Sequence, residues 1–160
     1  MIMELLNIIS ANAYTIIALK KRVRILKEYL EKQFFGGNVN LNLSPEDQFW
    51  LNSLPKTLLA SFNKDNFYKL IEELNEQITS IKPLVVYIAF DMPDPQLALL
   101  TQYIRKSLMA PLLFLEVKQN PILIAGAAFV YKGVYKDYSL KGRIEQNKEK
   151  ILLEFKRSLE

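Results

Sequence analysis

The 160-residue chain contains no cysteine and no histidine. Without cysteine it can form neither a disulfide nor a thiolate metal site. Without histidine it lacks the commonest general base and the commonest transition-metal ligand. Serine–histidine and cysteine–histidine catalysis are both excluded. Glycine is scarce as well. The five are Gly36, Gly37, Gly126, Gly133 and Gly142, and none builds a Walker A loop or a G-x-G-x-x-G turn. Long apolar runs are also missing. Leu5 to Leu19 is uncharged, but it is only 15 residues long and contains Asn7, Ser10 and Asn12. A membrane-spanning helix needs about 20 mostly apolar residues. Glu4 precedes the run and Lys20-Lys21-Arg22-Val23-Arg24 follows it, the reverse of an export signal. The expectation is a chain with no transmembrane or export segment, cytoplasmic by default.

What is present is the material of a folded protein. Half the residues are apolar and 24% are charged, enough to bury a core within one or two small domains. The formal net charge is +4. Lysine and glutamate are interspersed, as on solvated helix faces. The Lys20–Arg24 cluster could hold a phosphate or a lipid headgroup, and a solvated helix turn explains it more simply.

The first segment, Ile2 to Phe35, reads as one long helix. Ile2, Ile9, Ile16, Val23 and Leu30 recur every seventh residue, and Leu5, Leu19 and Leu26 fill the alternate positions. That is an a/d heptad pattern, which either packs inside the chain's own bundle or zips against another chain. Gly36-Gly37 ends it, and Asn38 to Leu43 is a linker. Ser44-Pro45-Glu46-Asp47 then opens a helix with a cap, a first-position proline and capping-box spacing. It carries Phe49, Trp50 and Leu51 and stops before Pro55. A short apolar turn (Leu58, Leu59, Phe62) follows. Asn63 caps the next helix, with Phe62 and Phe67 as a hydrophobic staple. Phe67, Leu70, Ile71, Leu74, Ile78 and Ile81 form its apolar stripe, and Pro83 ends it.

The pattern then changes. Leu84 to Phe90 is an apolar run of strand length. Asp94-Pro95 opens a helix as cap and first residue, with Leu97, Leu100, Ile104 and Leu108 on one side. Leu112 to Lys118 is a second strand, so the segment is a βαβ unit with a parallel pair. Ile122–Lys132 and Val134–Tyr138 form a hairpin turned by Gly133. Asp137 or Ser139 caps a last helix whose stripe is Leu140, Ile144, Ile151, Phe155 and Leu159. The expected class is α+β: a helical region with a long first helix over residues 1–82, then a small α/β domain over 83–160.

Groups that could do chemistry have structural explanations. Asp91 and Asp94 could hold a divalent cation, but a turn and a helix start explain them. Glu72-Glu73 and Glu145/Glu149 are helix carboxylates with nothing to pair them as acid and base. Asp137 and Ser139 fit a helix start better than a nucleophile and its orienter. The hairpin alternates Tyr131, Tyr135 and Tyr138 with Lys132 and Lys136, which could stack nucleic-acid bases or cover a helix. The balance favours an interaction protein over an enzyme.

The stretch Asn120-Pro121-Ile122-Leu123-Ile124-Ala125-Gly126, the turn at Gly133 and Asp137-Tyr138-Ser139 ahead of a basic helix resemble a family signature. It is the C-terminal signature of the delta subunits of bacterial F-type ATP synthases, counterparts of the mitochondrial oligomycin-sensitivity-conferring protein. The strand, helix, strand order upstream follows the same family, and the resemblance covers about residues 63–160. Ala125 stands where the family has the first glycine of a pair. Residues 1–62 are shorter than the family's N-terminal six-helix bundle.

The resemblance implies a non-catalytic peripheral-stalk (stator) subunit without a cofactor, metal or small-molecule substrate. It would join the alpha subunits of the catalytic head to the b-subunit stalk, at the cytoplasmic face of the membrane. Asn120, Pro121, Leu123, Ile124, Gly126, Gly133, Asp137 and Ser139 would be its structural motif. Ile9, Ile16, Val23, Leu26, Tyr131, Tyr135, Ile151, Phe155 and Leu159 are the expected partner-facing residues. Two other classes stay open. One is the E-type stalk subunit of a V/A-type ATPase, which the long first helix would suit. The other is a nucleic-acid-binding module, with a carboxylate-only enzyme the least favoured.

Overall fold

The computed structural model describes residues 2–36 and 42–158. Gly37, most of the expected linker and Leu159 lie outside the described residues. The described chain is α+β, with five helices preceding a four-stranded mixed sheet and three helices within and after it.

The expected single N-terminal helix is two. α1 runs Ile2–Ser10 and α2 runs Ile16–Phe35. Between them Asn12 takes a left-handed conformation, φ 60°, which asparagine tolerates better than most residues. Thr15 then caps α2, its hydroxyl accepting from the Ala18 N–H at 3.1 Å. The heptad spacing continues across this break, so periodicity alone could not locate it. Gly36 caps the far end of α2, its N–H donating to Lys32 O at φ 71°.

α3 (Pro45–Asn52) begins at the expected capping box. Ser44 Oγ accepts from the Asp47 N–H and donates to the Asp47 carboxylate at 2.7 Å. α4 (Lys56–Ala60) is a single short turn, and α5 runs Phe67–Ser80. Asn63 caps the turn leading into α5 rather than the helix itself. Its side-chain oxygen accepts from the Asp65 and Asn66 N–H groups at 2.9 Å. α2 packs against α5, and the core between them includes Leu19, Val23, Leu26, Leu30, Phe67, Leu70, Leu74 and Ile78.

The second half forms a sheet of order β2-β1-β3-β4. β1 (Leu84–Ile88) pairs in parallel with β2 (Leu115–Gln119) and antiparallel with β3 (Ala127–Tyr131), which forms a hairpin with β4 (Val134–Asp137). Four sequence expectations need correction, the first being that β1 ends at Ile88 and not at Phe90. α6 spans Asp94–Ser107, so it starts one residue earlier than expected, with Pro93 in the cap position. β2 starts later, because Leu112–Phe114 is spent on the approach to the sheet. Pro121–Leu123 is a short 3-10 turn and not strand, since the proline ring favours a turn there. The hairpin turn has positive φ at both Lys132 (49°) and Gly133 (80°), the geometry that matches strand twist.

Directly paired strand residues share a face. One face carries Leu84, Val86, Ile88, Leu115, Val117, Phe129 and Tyr131, and α6 packs on it through Leu97, Leu100 and Ile104. The other face carries Val85, Tyr87, Ala128, Tyr135 and Asp137. α7 (Leu140–Gln146) follows on that side, where Gly142 abuts the Asp137 carboxylate. The expected single last helix is also two, because Asn147 leaves helical geometry before α8 (Lys148–Ser158).

The helical and α/β parts meet where the first helix breaks. The Leu115 N–H donates to Tyr14 O at 2.8 Å, and Thr15 bridges Leu115 at the outer edge of β2. Arg105 of α6 donates to Ala13 O at 2.7 Å and to Leu113 O at 2.8 Å, with its guanidinium over the Phe114 ring. Phe114 itself is buried in the helical core. Arg22 donates to the carbonyls of Ile9 and Ala11 at the end of α1 and lies over Trp50. Burial pushes the guanidinium pKa of both arginines down, opposed by Tyr14, and at Arg22 also by Asp47.

Candidate partner interface

The signature residues other than Gly133 assemble as one unit. The Asn120 side chain accepts from the Ile122 N–H at 3.2 Å, and its own N–H donates to Ile88 O, so the segment hangs from the end of β1. Leu123 is buried. Ile124 has φ 68° and ψ −56°, and the Ala125 N–H reaches back to Leu123 O at 2.8 Å. That is a γ-turn of the rare, strained hand, in a β-branched residue. Ala125 then accepts the Leu140 N–H at 2.9 Å, which fixes the start of α7. Ala125 is not among the positive-φ residues, so its methyl group is no obstacle. Gly126, in contrast, has φ 81°, and a Cβ there would sit 2.7 Å from Tyr138 O.

Asp137 and Ser139 complete the unit. Asp137 accepts from the Ser139 N–H at 2.8 Å and from the Tyr135 hydroxyl at 3.2 Å. Hydrogen bonds from Ser139 first, and with a lesser share from Tyr135, outweigh desolvation and hold the Asp137 carboxyl below the usual carboxylate range. Tyr135 moves upward, through desolvation first and the Asp137 hydrogen bond second. Ser139 is buried, and its hydroxyl accepts from the Gly142 N–H. These residues orient α7. Gly133 lies apart, at the hairpin tip.

The expected partner-facing residues divide in two. Ile9, Val23 and Leu26 are fully or almost fully buried in the helical core and Ile16 packs against its edge. The heptad stripe therefore serves an intramolecular helix pair, and these four residues do not form an outward surface. Tyr131 and Tyr135 stand on opposite faces of the sheet, because they belong to neighbouring strands at offset positions. Tyr131 is half-buried against the α6 side, while Tyr135 is exposed.

Ile151 and Phe155 remain at the surface, at 41% and 66% exposure, together with Leu152 and Leu153. α8 buries no residue. Leu140 and Ile144 of α7 and Ile122 and Ile124 of the turn are exposed too. The sequence places these last two in the signature stretch but not among the partner-facing residues, because it predicts a strand from Ile122 onward. Their flanking Pro121 was the available signal.

The Lys20–Arg24 cluster is largely occupied internally. Lys21 pairs with Asp47 at 2.6 Å, Arg24 faces Glu28, and Arg22 is inserted between α1 and Trp50. Desolvation tends to raise Asp47, but hydrogen bonds from Lys21 and Ser44 outweigh it and hold its pKa low. Among the described residues no helix is long and apolar enough to cross a membrane. No group of three acidic side chains there could hold a metal ion. Compared with known proteins, the chain matches no family model and no curated protein sequence.

Proposed function

We propose that this chain is a non-catalytic adaptor of the peripheral-stalk type, resembling the delta subunit of F-type ATP synthases. It would join the alpha subunits of a catalytic head to a b-subunit stalk on the cytoplasmic face of the membrane. The observation that carries the proposal is the interlocked unit of Asn120–Gly126 and Asp137–Ser139. It fixes α7 and is followed by a helix, α8, with Ile151, Leu152 and Phe155 uncovered. Contiguous apolar side chains on a polar helix mark an interaction site.

A stator resists torque, so the adaptor must carry load between its two ends. The Tyr14–Leu115 backbone bond, the two Arg105 bonds and the insertion of Phe114 support that role, because they join helical region and sheet without a free linker. The E-type stalk reading rested on one long N-terminal helix, and that helix is broken at Asn12.

The test is co-sedimentation of the full chain with the C-terminal segment of a b stalk and, separately, with the alpha–beta head at physiological salt. Both should bind, and Leu152→Asp with Phe155→Asp should abolish the stalk contact while sparing the head. Binding to neither partner, or a salt-steep affinity for RNA in their place, would overturn the proposal.

A further inference from the structure

The sheet is wider than its helical cover. Four strands at about 4.8 Å spacing span about 19 Å, whereas one helix is about 10 Å across. α6 packs on one face of the sheet through Leu97, Leu100 and Ile104. The β3–β4 half of the same face is left as a groove of about 480 Å³. Leu84, Phe129 and Tyr131 form its floor, and Ile104 and Leu108 its α6 wall. α7 does not fill it, because α7 packs at Asp137 on the opposite face.

We propose that this groove docks an amphipathic helix of another protein, with acidic residues flanking its apolar face. Three observations fix the chemistry. First, β3 under the groove is hydrogen-bonded on both sides and the free edge is the outer side of β4, so a peptide lying on this face meets side chains. A packing helix suits that face, whereas an added strand would pair with the β4 edge and not fill the groove. Second, the rim carries Lys132 and Lys136, and neither forms an ion pair with a described residue. Carboxylates beside the apolar stripe of the incoming helix would meet them. Third, the chain's own exposed helix is a poor match. α8 (KEKILLEFKRS) has four basic and two acidic residues, so either its own copy or a second molecule's would bring like charge to the lysines. Tyr138 lines the groove beside Phe129, while Asp137 and the α7 start that it orients lie on the other face, and the inference does not rest on the stator proposal.

The test uses the full-length chain, 15N-labelled, and two synthetic helical peptides of about 14 residues, about 21 Å long. Both have leucines along one face, and one has glutamate at the flanking positions where the other has lysine. The glutamate peptide should shift amides of Tyr103–Leu108 and Ala127–Asp137 and bind at least ~10-fold more tightly than the lysine peptide. Lys136→Glu should narrow or reverse that preference, and Leu108→Asp, at a half-exposed site, should remove binding without unfolding the chain. The proposal fails if the two peptides bind equally, if the shifts lie elsewhere, or if millimolar peptide gives none. It also fails if, without peptide, groove amides move on dilution or on Phe155→Asp, since a second copy or the chain's own α8 would then hold the site.

Discussion

α5 and α8 are both amphipathic helices, and they end in opposite environments. α5 buries Phe67, Leu70, Ile71, Leu74 and Ile78, which α2 covers. α8 carries Ile151, Leu152 and Phe155 and buries none of them. Helical spacing of apolar residues says that a face needs a cover. It does not say whether the cover belongs to the same chain. In α5 the stripe runs for five positions and meets an equally long stripe on α2. In α8 the stripe is short, lies among six charged residues, and follows a break at Asn147 that takes it away from the sheet.

The sharpest way to break this comparison is truncation of one residue on each side of it. Leu26→Ala empties a fully buried site between α2 and α5 and should cost about 3–4 kcal/mol in urea unfolding. Phe155→Ala should cost under about 0.5 kcal/mol in the free chain, as an exposed site does. Comparable losses would mean that α8 has an intramolecular cover.

Arg105→Ala comes next. It orphans the Ala13 and Leu113 carbonyls and should cost about 2–3 kcal/mol. If the two regions share one cooperative unit through this junction, the urea transition should broaden or split, as followed by Trp50 fluorescence and by far-ultraviolet dichroism. A single unchanged transition would show that the junction is dispensable.

Gly126→Ala brings a Cβ against Tyr138 O at a φ of 81°, and should cost about 1–3 kcal/mol. Ala125→Gly, beside it, should change stability by under about 1 kcal/mol. The pair separates the two positions of the signature by thermal unfolding.

The smallest effect is that of acid. Asp47 and Asp137 have folded-state pKa values held below their usual range. The unfolded chain therefore binds more protons than the folded one in the acid range. Their stabilisation is present above the ordinary aspartate pKa, about 3.9, and is lost as pH falls through the lower folded values. Asp47→Asn with Asp137→Asn should flatten the fall in melting temperature below about pH 4, and should matter less at high salt.

Much of this was legible in the residues. The α+β class, the Ser44 cap, the parallel β1–β2 pair and the Lys132-Gly133 turn all follow from local chemistry that no distant contact overrides. The break at Asn12 was hidden because Ile9, Ile16 and Val23 keep heptad spacing through it. What decides the break is distant: Arg22 caps α1, and Tyr14 and Ala13 bond to β2 and α6. For the interface, the sequence named Ile151 and Phe155 but joined them to Ile9, Val23 and Leu26. Both sets have helical spacing, and only packing separates a core stripe from an exposed one. The groove beside α6 was legible on one side only: the hairpin alternation had marked Tyr131, Lys132, Lys136 and Tyr138, which line it, but its depth is a shortfall of helical cover over four strands and belongs to no motif.

Hydrogen exchange on the full chain, alone and with the C-terminal segment of a b stalk, tests most directly whether the C-terminal helices are an adaptor's open interface. The account predicts fast exchange across α8 in the free chain, slow exchange across α2 and α5, and strong protection of α8 when the segment binds. Protection of α8 in the free chain, or exchange there unchanged by the segment, would contradict it.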